Sequence, residues 1–161
     1  MTQEDKELLI KDLCARLPYG VKAYMKKWSK LDRKYYEGVY TVESVHPSLN
    51  DIYGSTEKGS VEVILGYSDY DIKPYLFPLS SMTEEQAIEL YNIFGISLVD
   101  SVRPNYIHVN EITGITFFFQ NGFDVKTHLD KLIDWLNKNH FDYRGLIEKG
   151  LALDATGKNI Y

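Results

Sequence analysis

The sequence predicts an α+β fold. Mostly antiparallel strands fall in two groups, at about 20–66 and 96–120, packed with three main helices at about 2–16, 82–94 and 124–139. Three observations lead there. The order along the chain is helix, strands, helix, strands, helix. The strand segments alternate with period two or are bulky on both faces, whereas the helical ones repeat apolar residues three and four apart. Thirteen tyrosines, beside seven Phe and two Trp, suit half-buried sheet faces. At 161 residues, 44% apolar and 25% charged, the chain fits one domain spanning 1–161, with a polar tail from about 155.

The first helix begins at Thr2, a capping residue, with Glu4 and Asp5 at its positive end. Leu9, Leu13 and Leu17, flanked by Ile10 and Cys14, form its apolar stripe, and Pro18 and Gly20 stop it. From Val21 to Trp28 the pattern becomes strand-like: Val21, Ala23 and Met25 on one side, Lys22, Tyr24 and Lys26 on the other. After the polar turn SKLDRK, Tyr36 to Val45 reads as a second strand with both faces partly apolar. The segment His46–Ser60, rich in turn formers, reads as a loop, and Val61–Gly66 as a short strand. In Tyr67–Leu79 two prolines four residues apart make a regular central strand improbable; an edge segment, or a strand ending near Lys73, is expected.

The second helix offers two capping frames, Ser81 with Glu84 and Thr83 with Gln86. Ala87, Leu90, Tyr91 and Phe94 form its stripe. Three strand candidates follow, Ile96–Val102, Tyr106–Glu111 and Ile115–Gln120, the last two joined by a tight turn over Glu111–Gly114. The last helix, from Asp124 as its N-cap to Asn139, carries Val125, Leu129, Leu132, Ile133 and Leu136 at helical spacing. A short helical turn is expected after it. Pattern alone leaves open whether the two strand groups form one sheet or two.

The net charge of −5 conceals an asymmetry. Residues 1–34 hold nine cations against five carboxylates, and residues 35–161 nine against eighteen. No apolar run approaches the ~20 residues of a membrane span, and the opening MTQEDKELLI lacks a signal-like pattern. A cytoplasmic protein with no membrane contact is the expectation. The single cysteine, Cys14, reads as a small buried hydrophobe, since one Cys forms neither an internal disulfide nor a Cys-based zinc site.

Two constellations invite chemistry. The basic segment 22–36 interleaves Lys22, Lys26, Lys27, Lys30, Arg33 and Lys34 with Tyr24, Trp28, Tyr35 and Tyr36. Cations can track phosphates while rings stack on bases, so this is the candidate nucleic-acid surface; the plainer reading is a solvated hairpin whose lysines discourage edge-to-edge pairing. The second is His140, Asp142, Tyr143 and Arg144 at the end of the last helix. Asp142 can orient an imidazole and Arg144 can bind a phosphate or carboxylate, as a hydrolase or nuclease requires. Consecutive side chains point in different directions, however, and helix C-capping explains the same residues. Tyr67, Tyr70 and Tyr75 around Asp69 and Asp71 make a further tyrosine-rich surface suited to a protein interface. No phosphate loop, nucleophile elbow or metal motif occurs, so no catalytic residue, metal or cofactor is assigned.

Three segments, KELLIKDLCARLPYGVK at 6–22, KPYLFPLSSMTEEQ at 73–86 and IDWLNKNHFDYRGLIEKGLALDA at 133–155, resemble an uncharacterised family of small proteins from Bacteroides-type gut bacteria, often associated with prophages and other mobile elements. The resemblance implies a bacterial or phage-encoded origin and transfers no activity or site residue. The sequence thus reads first as a non-enzymatic binding or accessory module whose partner is another protein or a second copy of itself. Nucleic-acid binding through 22–36 is the alternative, and a small hydrolase or nuclease using His140, Asp142 and Arg144 is the third reading.

Overall fold

The computed structural model describes residues 1–66, 70–94, 97–98, 105–110, 114–119 and 125–161, with side chains for 1–66, 70–90 and 130–161. In chain order the elements are α1 (Gln3–Arg16), β1 (Lys22–Ser29), β2 (Lys34–His46), β3 (Asp51–Thr56), β4 (Gly59–Ile64), β5 (Tyr70–Leu76), α2 (Glu84–Phe94), β6 (Ser97–Leu98), β7 (Asn105–Asn110), β8 (Gly114–Phe119), α3 (Val125–Lys138) and β9 (Leu153–Asp154). This is the expected α+β class. Among the described residues the strands form two sheets, of six and three strands. The chain divides into two compact units, Met1–Leu76 with Leu146–Tyr161, and Phe77–Gly145.

In the first unit, α1 starts with a reciprocal cap. The Thr2 hydroxyl accepts the Asp5 N–H at 3.1 Å, and the Asp5 carboxylate accepts the Thr2 N–H at 2.9 Å. Two of the orphan amides of the first turn are thereby satisfied. A 3₁₀ turn at Leu17–Tyr19, opened by Pro18, ends the helix, and Gly20 leaves it at φ 65°.

The six strands run β4-β3-β2-β1-β5-β9, antiparallel except for the β5–β9 pair. Val21, Ala23 and Met25 point inward and are fully buried, as the alternation predicts. They join Leu9 and Leu13 of α1, Val42, Ile52, Val63 and Ile72 in one core. Burying such aliphatic side chains contributes roughly 1.5–3 kcal/mol each, so α1 is fastened to the inner face by packing rather than by helix propensity. In β2 the register shifts between Val42 and Ser44, a bulge that sharpens the twist. The sheet then curls until β4 approaches β1 and β5.

Two expectations are corrected here. The segment read as a loop over His46–Ser60 contains β3. Ile52 and Gly54 face the core, and Asp51, Tyr53 and Ser55 face outward, so the period-two signal was present but interrupted by Gly54. That glycine is a packing requirement: a Cβ there would lie 2.7 Å from the Met25 Sδ and 3.1 Å from the Thr41 carbonyl oxygen. Likewise β5 continues past Lys73 to Leu76 and is paired on both sides. Pro74 lies opposite Ala23, and β9 meets only Tyr75 and Leu76. The ladder on that side therefore begins just after the residue that lacks an N–H.

In the second unit, α2 uses the later capping frame. Thr83 N–H donates to Gln86 Oε1 at 3.0 Å, and Gln86 N–H to Thr83 Oγ1 at 3.3 Å. Ser81 instead donates its hydroxyl to the Pro78 carbonyl within a 3₁₀ turn, Leu79–Ser81. Leu79, Leu90, Leu132, Trp135, Leu136 and Phe141 form the core of this unit. β6 and β7 pair in parallel, and β7 and β8 antiparallel from Asn105 opposite Phe119 to Asn110 opposite Gly114. The expected cap Asp124, the centre of the turn after Asn110, and the side chains of Tyr91, Phe94, Val125 and Leu129 lie outside the described residues.

After α3 the expected helical turn is replaced by non-helical turns that lead into β9. The polar tail is tied down. Ala155 is fully buried and its N–H donates to the Leu76 carbonyl at 2.8 Å. The Tyr161 hydroxyl donates to the Tyr75 carbonyl at 2.7 Å and accepts the Lys22 N–H at 3.2 Å.

Candidate binding surface on the first hairpin

The β1–β2 hairpin gathers much of the basic segment at one end. Lys30–Arg33 form its loop, closed by the pair Ser29 and Lys34, with Arg33 in the left-handed region at φ 52°. The Asp32 carboxylate accepts from the Ser29 hydroxyl at 3.0 Å and the Tyr36 hydroxyl at 2.6 Å, which holds its pKa below the usual range. Leu31 at the tip is 92% exposed.

On the outward face, register brings Tyr24, Lys26 and Trp28 of β1 opposite Val39, Glu37 and Tyr35 of β2. The Trp28 and Tyr35 rings meet at 4.8 Å between centroids, tilted by 60°. Lys26 Nζ sits 4.2 Å from the centroid of the Tyr35 ring and 3.4 Å from the Glu37 carboxylate. Tyr24 donates to Glu37 at 2.8 Å. Desolvation, then that hydrogen bond, pushes the Tyr24 hydroxyl up to about 12, while the Tyr24 and Lys26 contacts lower the Glu37 carboxyl. Tyr35 remains 48% exposed and Tyr36 40%.

Not every residue of the basic segment joins this face. Lys27 points to the opposite side, its Nζ 5.9 Å from the Tyr70 ring centroid. Lys34 lies 4.6 Å from the Tyr36 centroid, also on that side. Lys22 is at the far end of β1, donating to the Ile160 carbonyl at 2.6 Å. Glu37 is the member that composition did not single out. Its place follows from register, which the loop length sets.

The polar cluster at the end of α3 is a helix cap. Phe141 N–H donates to the Leu136 carbonyl at 2.9 Å and His140 N–H to the Asn137 carbonyl at 3.1 Å. With His140 left-handed at φ 56°, this is the Schellman pattern, His140 standing where glycine is usual. Phe141 and Leu136 pack in the same core, supplying the accompanying apolar contact. His140 is 7% exposed and Asp142 9%. Arg144 donates to the Tyr143 hydroxyl at 2.7 Å with its guanidinium 4.7 Å from that ring centroid, and Tyr143 donates to Asn137 at 3.1 Å.

Of the tyrosine-rich surface, Tyr67 and Asp69 lie outside the described residues, Tyr70 packs against the core and Tyr75 is buried. A cleft beside α1 brings Asp5, Lys6, Asp71 and Lys149 together with no nucleophile–base pair among them. Among the described residues no group of His, Cys, Asp and Glu is placed to hold a metal, and no helix is long and apolar enough to cross a membrane. No family model, no curated protein and no solved structure matches the chain.

Proposed function

We propose that the protein is a non-enzymatic binding module and that the outward face and tip of the β1–β2 hairpin are its working surface. One observation carries this reading. Alpha-helix α1 covers the inner face of the six-stranded sheet, whereas the opposite face presents Trp28, Tyr35 and Lys26 as a continuous aromatic and cationic patch. Aromatic rings with polar tips and long cations are the side chains that binding surfaces concentrate. The other constellation, His140 to Arg144, is engaged in ending α3, with His140 and Asp142 buried. An accessory role of this kind suits the mobile-element proteins that three segments of the chain resemble. A protein partner, a second copy included, is supported by the exposed apolar and aromatic side chains on the hairpin itself, Leu31 at its tip and Tyr35 on its outward face.

The test compares wild-type protein with the double variant Lys26→Glu/Tyr35→Ser. Both are measured by size exclusion with light scattering and immobilised against the same bacterial lysate, with and without nuclease. Expected is a self-association or a retained component that the variant loses. Identical behaviour of the two proteins, with the variant folded by circular dichroism, overturns the reading.

A further inference from the structure

We infer that the β1–β2 hairpin binds single-stranded nucleic acid; this rests on the hairpin's being the working surface. The charge distribution makes the first argument. Residues 22–37 carry six cations and two carboxylates in a protein whose net charge is −5. Glu37 is paired with Lys26, whereas Asp32, held by the Ser29 and Tyr36 hydroxyls, keeps its charge and sets one carboxylate against the three cations at the hairpin tip. What the distal hairpin offers a ligand is a net positive charge, from Lys30, Arg33 and Lys34 against Asp32, on an otherwise acidic molecule.

The second argument is the position of cations relative to rings. Lys26 lies over Tyr35 on one face, at 4.2 Å, and Lys34 beside Tyr36 on the other, at 4.6 Å. A phosphate held by either ammonium places the base of the same nucleotide within reach of the adjacent ring. Trp28 against Tyr35 extends the outward platform to two rings. The two rings stand opposite each other across the hairpin, and Lys26 follows them on the same face two residues, about 6.8 Å, along β1. A base must expose its π face to stack, and a duplex hides those faces, so the arrangement selects single strands. The Lys26–Glu37 contact is no obstacle. At 3.4 Å between half-exposed groups it is a weak surface pair that a phosphate can replace.

The experiment uses the full chain and a labelled 15-nucleotide dT oligomer, with a duplex of equal length, read by fluorescence anisotropy. Trp28 emission is followed in the Trp135→Phe background, which leaves it as the one tryptophan. Expected is binding of the single strand at 50 mM salt with quenching of Trp28. The affinity should fall with a log–log slope of about 2 against salt, for roughly three neutralised phosphates. Tyr35→Ser should weaken binding about tenfold and Lys26→Glu comparably, each with unchanged circular dichroism. No shift with the oligomer at 50 mM salt, equal binding of the duplex, or insensitivity to both variants would overturn the inference. If the oligomer fails while a nuclease-resistant lysate component or self-association still depends on the hairpin, the ligand is a protein and only the present inference falls. Loss of both outcomes removes the binding-module reading as well.

Discussion

Arg16 holds Asp12, one helical turn before it, with two hydrogen bonds, Nε to Oδ2 at 2.8 Å and a terminal guanidinium nitrogen to Oδ1 at 3.1 Å; both side chains are fully buried. An ion pair removed from water stabilises only when its geometry offsets desolvation, and losing one partner leaves a charge in a dry site. Asp12→Ala should cost about 3–5 kcal/mol, read as a lower urea midpoint. Asp12→Leu with Arg16→Met should recover most of that loss, because two apolar residues of similar volume need no counter-charge. A double variant no more stable than Asp12→Ala would show that the pair specifies the fold of α1 beyond its charge.

Tyr161 predicts a loss of stability in alkali. Desolvation of its hydroxyl raises the folded pKa from 10.0 to about 12. Below pH 10 the hydroxyl is protonated in both states and the bridge between Lys22 N–H and Tyr75 carbonyl is intact. As pH rises from 10 towards 12 the unfolded chain releases its proton first, so stability falls across that window. Tyr161→Phe should lower stability by about 1 kcal/mol at neutral pH and flatten the alkaline decline. Urea midpoints at pH 7, 9, 10 and 11 check both signs; Tyr24, also raised to about 12, leaves a residual slope in the variant.

Gly54 and Gly38 should respond differently to alanine. At Gly54 a Cβ meets Met25 Sδ at 2.7 Å and Tyr40 Cβ at 3.0 Å, and the cost should be about 1–3 kcal/mol. At Gly38 the nearest atom is the Tyr40 ring at 3.5 Å, an ordinary contact, and the change should stay within about 0.5 kcal/mol. Thermal melts of the two variants side by side provide the comparison.

Thr83→Ala removes the acceptor for the Gln86 N–H and should destabilise the unit containing α2 by about 1 kcal/mol. Ser81→Ala leaves that cap intact and should matter less. Helicity and thermal unfolding measured on both variants decide which frame begins the helix in solution.

How much of this was written in the sequence depends on the range of the interaction. Local signals were readable: the Thr2 cap, the inward set Val21, Ala23 and Met25, and the stop at Pro18 all act within a few residues. The strand β3 was hidden because Gly54 resembles a breaker until Met25 is seen packed against it from a neighbouring strand's partner. Pro74 misled for a similar reason, since its tolerance depends on where β9 begins. The basic and aromatic residues of the hairpin were visible by type, yet the sorting of Lys27 and Lys34 away from Lys26, and the entry of Glu37, required the register of two strands. Arg16 with Asp12 has ordinary helical spacing and no mark of burial, so nothing local separates it from a surface pair.

The split of the first unit between Met1–Leu76 and Leu146–Tyr161 bears on its assembly during synthesis. A ribosome delivers β1 to β5 long before Leu146, Leu151 and Ala152, which complete the same core. Until they arrive, β5 presents Tyr75 and Leu76 without the strand that later pairs with them. The growing chain therefore passes through an interval with an open sheet margin, where pairing with another nascent chain competes with closure. Slow translation through Phe77–Gly145 should lengthen that interval, and chains stopped short of Leu146 should be prone to aggregate.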